Sequence, residues 1–481
     1  MNSGRLPADQ RQREAVLQSL DETLFVEAGA GTGKTTSLVG RIARLVATGR
    51  ARPGEIAAIT FTEAAAAELR DRIRMKLEED GGPGSELPAD DRERCRAALA
   101  EVDAAAFQTL HGFAQRLLLG APVEAGLPPR IEILDQVRSH IDFDERWEEA
   151  LDRLLGEGAE ARAMRRAVLL GFDVRALEEI ARAFHEHYDQ LRGVTFAAGD
   201  AFAAVDIAPV LAPLEEALSL VGQCANPADL LRRHLEERVA PYARALRAAA
   251  VEGDEAVLRA LAGEATLSAG NAGAAPKWGG QKATVQALLT DAGEAQEGLL
   301  AALRDAAFRP ILDAIAQWVL EYAAERRRQG TLEFHDLLVL ARDLLRDNAA
   351  VRERLGAQWK YILVDEFQDT DPIQLEIVAL LTAPPGTPGG TRWDALQPQA
   401  GKLFFVGDPK QAIFRFRGAD VLLYQRAQEH IRARPVALTH NFRSAPTILT
   451  WANHIFAGLI GTTPERGQPE FRGLTPDRHQ L

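Results

Sequence analysis

The sequence predicts an α/β fold, a doubly wound parallel sheet interrupted by a large all-helical insertion. Three observations predict it. Towards both ends of the chain, short apolar runs alternate with stretches of helical spacing, the pattern of β–α–β units in a parallel sheet. Between about 121 and 300 the helical spacing continues with no strong strand. Polar groups gather at the carboxyl ends of the apolar runs, where such sheets bind ligands.

Taken in order, LFV is the first strand, AGAGTGKT a loop and TSLVGRIARLVATG a helix, within residues 24 to 49. AAIT (57–60) is a second strand, followed by the helix EAAAAELRDRIRMKLEE. AAAFQTL, in the 103–109 region, is a third, followed by HGFAQRLLL. KYILVDE (360–366) and KLFFVGD (402–408) complete the set. Inside the insertion Trp147, Leu151, Leu154 and Leu155 repeat with helical spacing, as do Ile311, Ile315, Trp318, Val319 and Tyr322. The second of these helices ends in Arg326-Arg327-Arg328 before Gly330, which suits the helix dipole and a glycine cap. Residues 263–296 read as a loop or a frayed helix pair, and 383–401 as a surface excursion.

Composition bounds the function. The chain has 481 residues, 46% hydrophobic and 26% charged, an ordinary soluble composition for roughly two to four domains. Cys95 and Cys224 lie too far apart for a metal knuckle and do not make a disulfide scaffold, so a reducing compartment fits. With no signal-type leader and no run of about 18 apolar residues, a cytoplasmic protein without a membrane partner is expected. A net charge of −13 weighs against a small DNA-binding domain. It does not exclude a large enzyme, which needs a positive groove and not a positive surface.

The chemistry starts at Ala28-Gly29-Ala30-Gly31-Thr32-Gly33-Lys34-Thr35. This is phosphate-loop spacing with Ala in the first glycine position. The glycines let backbone N–H groups turn towards phosphate oxygens, and the helix N-terminus adds partial positive charge. Lys34 is expected on the β- and γ-phosphates and Thr35 on Mg²⁺. Such a site needs an acid for the metal and a base for the water. Asp365 and Glu366, at the end of ILVDE, supply both. The other use of such a pair is to cap a helix. A nucleoside triphosphatase using Mg²⁺ follows.

With these residues in place, the chain resembles the superfamily-one DNA helicases of the UvrD/Rep type. Within that group it looks most like RecB and AddA, the motors of exonuclease V-type complexes. The matching segments are DQRQREAV (9–16), the phosphate loop, AITFTEAAAAELRDRI (58–73), TLHGFAQRLL (109–118) and LEFHDLL (332–338). They continue with YILVDEFQDTDPIQ (361–374), FVGDPKQAIFRFRGAD (405–420) and LTHNFRSAPTIL (438–449). The resemblance implies that Gln12 reads the adenine edge and that Gln411 senses the γ-phosphate. It puts Phe442 on adenine, Arg443 on the transition-state charge as an arginine finger, and Arg41 near the phosphates. Thr36 departs from the pattern, since many relatives carry Arg there against the base.

On the DNA side the resemblance assigns Phe61 and, from the 405–420 segment, Phe414, Phe416 and Arg417. An aromatic face grips any base, at about 1–3 kcal/mol each. Thr60, Thr62 and His111 fall on backbone phosphates. Core packing competes for each of these Phe residues and for Phe113. Asp336 and Asp369 read as structural or coupling carboxylates.

The implied domains are a first RecA-like lobe at 1–120 and 306–435, a helical insertion at 121–305, and a second RecA-like lobe only begun at 436–481. Phe442 and Arg443 are then expected to have little sheet to dock into. The expected function is an ATP-dependent single-stranded DNA translocase or 3′–5′ DNA helicase in repair and recombination, here as a motor portion that binds weakly and does not unwind alone. The alternatives are part of a helicase–nuclease whose nuclease lies beyond 481, or a non-hydrolysing DNA-binding regulatory fragment. Expected partners are single-stranded or duplex-junction DNA and the other members of a helicase–nuclease complex. By resemblance the insertion contacts duplex DNA, although its acids, such as Asp142, Asp144, Glu145, Glu148 and Glu149, also suit a solvated face.

Overall fold

A computed structural model of the chain describes residues 7–196, 204–263, 267–413, 421–461 and 468–477. Phe414, Phe416 and Arg417 lie outside them. The chain forms two units, one from residues 1–133 with 327–481 and one from 134–326.

Ten strands occur among the described residues: β1 (Leu24–Ala28), β2 (Ile56–Thr60), β3 (Ala106–Thr109), β4 (Glu132–Ile133), β5 (Thr331–Leu332), β6 (Tyr361–Val364), β7 (Leu403–Gly407), β8 (Arg434–Leu438), β9 (His440–Asn441) and β10 (Thr475–Pro476). Six form one sheet in the order β3-β2-β6-β7-β1-β8, every pairing parallel. Its central strands are buried almost end to end, as expected where helices cover both faces. Side chains alternate between two cores. Phe25, Leu403 and Phe405 enter one, while Leu24, Val26, Phe404 and Val406 enter the other.

The five strands expected from sequence are all present. The sixth corrects the expectation that 436 begins a separate lobe. β8 pairs along the whole of β1, from Leu24↔Arg434 to Ala28↔Leu438. It is an edge strand, and Pro435, which has no N–H to donate, is tolerated there.

Five helices of this unit bear on the site or its support: α1 (Gln10–Gln18), α2 (Lys34–Ala47), α3 (Glu63–Gly81), α4 (Ala89–Leu99) and α5 (Leu110–Gly120). α2 buries Leu38, Ile42 and Leu45 at helical spacing. Phe113 on α5 is core, edge-on to Trp359 at 4.9 Å.

The unit 134–326 is helical, and its limits replace the expected 121–305. Leu117, Leu118, Ala121 and Leu127 belong to the sheet-side core, so the chain stays with the sheet past 120. Beyond 305, Trp318 packs on Phe143 at 5.5 Å and on Trp147 at 5.2 Å, inside the insertion. One helix runs from Lys282 to Gln329, so the second half of the stretch read as loop or frayed helices is regular helix. It stops at Gly330, whose φ of 78° is left-handed. The two-residue pair β4–β5 joins the chain where it leaves the sheet unit and returns to it. No helix among the described residues is long and apolar enough to cross a membrane.

Candidate nucleotide-binding site

β1 ends at Ala28, and the glycine loop follows at the carboxyl edge of the sheet. Gly31 and Gly33 take φ of 72° and 84°, the left-handed region that glycine enters without a Cβ penalty. Gly31 is needed for space as well. A Cβ there would stand 2.7 Å from both Arg443 Cβ and Asn441 Nδ2. Thr32 is buried and its hydroxyl donates to Gly29 O at 2.8 Å, closing the loop on itself.

A cavity of about 610 Å³ opens beside this loop. It brings together Gly29, Ala30, Gly31, Gly33, Lys34, Thr35 and Thr36 with Glu366, Gln411, Phe442 and Arg443. These residues come from four segments far apart in sequence. Lys34 Nζ pairs with Glu366 Oε2 at 2.6 Å. Glu366 has φ of 50°, the single non-glycine left-handed residue among the described ones. Such strain concentrates at functional sites.

Asp365 directly follows β6, and its Oδ1 accepts the Glu366 N–H at 3.0 Å. Burial and then the Glu366 charge push the Asp365 carboxyl up to about 6, against the pull of Lys34. Burial and the same charge push Asp369 up to about 6 as well. Asp365, Glu366 and Asp369 line one small cavity, and crowded carboxylates suit a hard divalent cation that shares its shell with phosphates and water. Of the two residues expected to hold it, Thr35 lines the larger cavity and Asp365 a small one, with Glu366 common to both. The charge of the cation would offset the repulsion that raises Asp365.

The raised values set a pH dependence. A carboxyl with a higher pKa folded than unfolded (about 3.9 unfolded) binds protons on folding between the two values. Its contribution to stability is therefore present at low pH and is lost as pH rises from about 4 to about 6. Asp365→Asn is expected to raise the thermal midpoint of the ligand-free protein at pH 7, with the gain vanishing below about pH 4. Midpoints followed by circular dichroism would show this. An unchanged or lower midpoint at pH 7 contradicts it.

Phe442 and Arg443 are docked, contrary to expectation. The Phe442 N–H donates to Gly31 O at 2.9 Å, and Asn441 Nδ2 donates to Ala30 O at 2.6 Å. β8 brings them there by extending the sheet beside β1. Gln411 faces the cavity with its Nε2 donating to Asp408 Oδ2 at 2.7 Å. Its loop is fixed to β1 by Lys410, which pairs with Glu27 at 2.8 Å and with Asp408 at 3.0 Å.

Five of the residues expected at the nucleotide do not line this cavity: Ala28 and Thr32 within the loop segment, Asp365, which lines the small cavity, and Arg41 and Gln12, which lie elsewhere. Arg41 is 1% exposed and does not line the cavity. Its guanidinium donates to the carbonyls of Val16, Ser19 and Glu22, capping the end of α1. Gln12 is exposed on α1 and is also absent from the lining. The neighbouring Arg13 lines the cavity instead, 4.9 Å over the Phe442 ring and paired with Asp9 at 2.7 Å. Sequence reasoning missed Arg13, although the Asp9–Arg13 spacing of one helical turn was a visible signal. It also missed Arg72 of α3, which lines the cavity while pairing with Glu68 at 2.5 Å, and Asn441.

On the expected DNA side, Thr60 and Phe61 line a small cavity that also touches Asp365 and Glu366. The Thr62 hydroxyl caps α3 by accepting the Ala65 N–H at 3.1 Å. Thr60 is buried, and its hydroxyl donates to Thr62 O at 3.2 Å. His111 lies edge-on to the exposed Phe334 at 5.8 Å. Burial, then the nearby His335, lowers the His111 pKa and favours its neutral form.

The fold and this cavity together define a P-loop nucleotide-binding protein, with the loop where a parallel sheet offers helix N-termini to phosphate. The family described as "UvrD/REP helicase N-terminal domain" matches residues 8–432, and the chain belongs to it. The chain is similar to an ATP-dependent helicase/nuclease of Listeria welshimeri, 26% identical over 92% of this chain and 38% of that protein. The helicase/nuclease of the same name from Geobacillus kaustophilus is 28% identical over 92% and 38%. RecB, from the RecBCD enzyme of Escherichia coli, is 29% identical over 90% and 38%. The chain thus spans about two fifths of the length of the curated relatives it matches.

Proposed function

We propose that the chain is the motor portion of an ATP-dependent single-stranded DNA translocase, working as a 3′–5′ helicase in DNA repair and recombination. The observation that carries this reading is the single cavity shared by Lys34, Thr35, Glu366, Gln411 and Arg443. Lys34 takes the β- and γ-phosphates, releasing Glu366 to orient the attacking water. Arg443 faces the charge that develops on the transferred phosphoryl group. Thr35 and Asp365 would hold Mg²⁺, which would supply charge neutralisation on the phosphate oxygens. Phe442, 38% exposed and rimmed by Arg13, offers a face for the base. Phe61 and the 414–417 segment are the proposed single-strand grip, and the direction of travel is carried by the family resemblance.

The test is ATP hydrolysis with and without an oligothymidylate. Stimulation by DNA supports the motor, and binding of both ligands with no turnover sinks it. Phe442→Ala is expected to raise KM for ATP about two- to tenfold, from the loss of roughly 0.5–1.5 kcal/mol of stacking, with kcat little changed. An unchanged KM removes the base contact from Phe442.

A second reading makes the chain part of a helicase–nuclease subunit whose strand-cutting part lies beyond residue 481. The names of the relatives, an ATP-dependent helicase/nuclease and RecB of the RecBCD enzyme, favour it. Nuclease activity carried by the same polypeptide in its native source would support it.

A further inference from the structure

Glu366 and the loop bearing Gln411 are joined by one buried side chain that takes no part in the chemistry. Gln368 lies in the turn Phe367–Asp369 and is 3% exposed. Its Nε2 donates to Glu366 Oε2 at 2.9 Å and to Asp369 Oδ2 at 3.2 Å. Its Oε1 accepts the Asp408 N–H at 2.8 Å. The amide has one permitted orientation, because a flip would set its oxygen against two carboxylates and its NH₂ against a donor. The seat is tight, since a Cβ on Gly407 would come within 2.5 Å of Gln368 Oε1. Asp408 in turn accepts from Gln411 Nε2 at 2.7 Å. The chain Glu366–Gln368–Asp408–Gln411 thus begins and ends in the same cavity.

We infer that Gln368 is a positioning residue that couples the state of the nucleotide cavity to the 408–413 loop, and through it to DNA affinity. The inference rests on the motor reading above. Glu366 Oε2 is held from two sides, by Lys34 and by Gln368. Phosphate competes for Lys34 and leaves Gln368 as the remaining hold on that oxygen. Any shift of Glu366 then pulls an amide whose other end is bonded to the Asp408 backbone. The chain leaving this loop runs directly into 414–417, the proposed grip.

The test measures affinity of the 481-residue chain for labelled oligothymidylate, with and without a non-hydrolysable ATP analogue and Mg²⁺. The wild type is expected to change DNA affinity about fivefold or more on nucleotide binding. Gln368→Glu keeps the acceptor for Asp408 and replaces the donor to Glu366 and Asp369 by an oxygen that both carboxylates repel. Its ratio is expected to fall to within twofold of one, while each ligand alone binds within about threefold of wild type. The double variant Glu366→Gln/Gln368→Glu reverses the polarity of the bond and is expected to regain the ratio.

If the wild-type ratio is one, the motor reading fails and the inference falls with it. If the wild type is coupled and Gln368→Glu keeps the full ratio, the inference alone is overturned. If Gln368→Glu weakens both ligands together, Gln368 is a structural brace and the inference is likewise overturned. Should Gln368→Glu not fold, the double variant decides: a wild-type ratio supports coupling and a ratio of one overturns it.

Discussion

Glu366→Gln is expected to lower ATP hydrolysis by about 10²- to 10⁴-fold, the usual worth of a positioned general base. The amide is nearly the size of the carboxylate and can still accept from Lys34, so the loop geometry should persist. It cannot take a proton from water, and it gives up the ion pair that holds Lys34 at 2.6 Å. Lys34 then has no carboxylate to leave when phosphate arrives, so nucleotide affinity should stay equal or rise. Steady-state hydrolysis measured beside equilibrium binding separates the two effects. Turnover within tenfold of wild type would remove Glu366 from the chemistry, and a large loss of affinity would make it a binding residue instead.

Arg41→Ala is expected to cost about 2–4 kcal/mol of stability, with nucleotide affinity unchanged in protein that remains folded. The estimate adds lost packing of a large buried side chain to hydrogen bonds made by a charged donor. Burial lowers the Arg41 pKa to about 10, yet the group stays charged at neutral pH. The charge is held by carbonyls at the end of α1 and by the Phe404 ring, 4.9 Å away. Removing it strands those carbonyls between two helices. Urea midpoints give the stability, and titration of the folded variant gives the affinity. A tenfold weaker nucleotide affinity with an unchanged midpoint would return Arg41 to the phosphates.

These two residues also show what the sequence could and could not tell. Lys34 and Glu366 were legible because their chemistry is local: a loop that only glycines can make, and an acid pair ending an apolar strand. Arg41 was placed near the phosphates by the resemblance, and helical geometry puts it elsewhere. Seven residues after Lys34 it shares that helix face, but it lies about 10 Å further along the axis, so it meets α1 and not the phosphates. Gln12 and Arg13 differ by one residue, which turns the side chain by about 100°, and nothing in the segment 9–16 says which of them faces the loop. Five strands announced themselves as apolar runs. β8 did not, because Arg434 and Pro435 open it and only its position beside β1 makes it a strand. Gln368 was hidden inside an acidic run, its role set by a turn and by a backbone N–H forty residues away.

The ladder between β1 and β8 has a mechanical consequence. Ala28 is paired with Leu438, so the last residue before the glycine loop and the last before Thr439 are held as one plate. Asp9 Oδ2 accepts the N–H groups of Thr439 and His440 at 2.8 and 2.9 Å. Any widening between Gly31 and Arg443 must therefore swing about this short pivot, with the carboxylate of Asp9 as its pin.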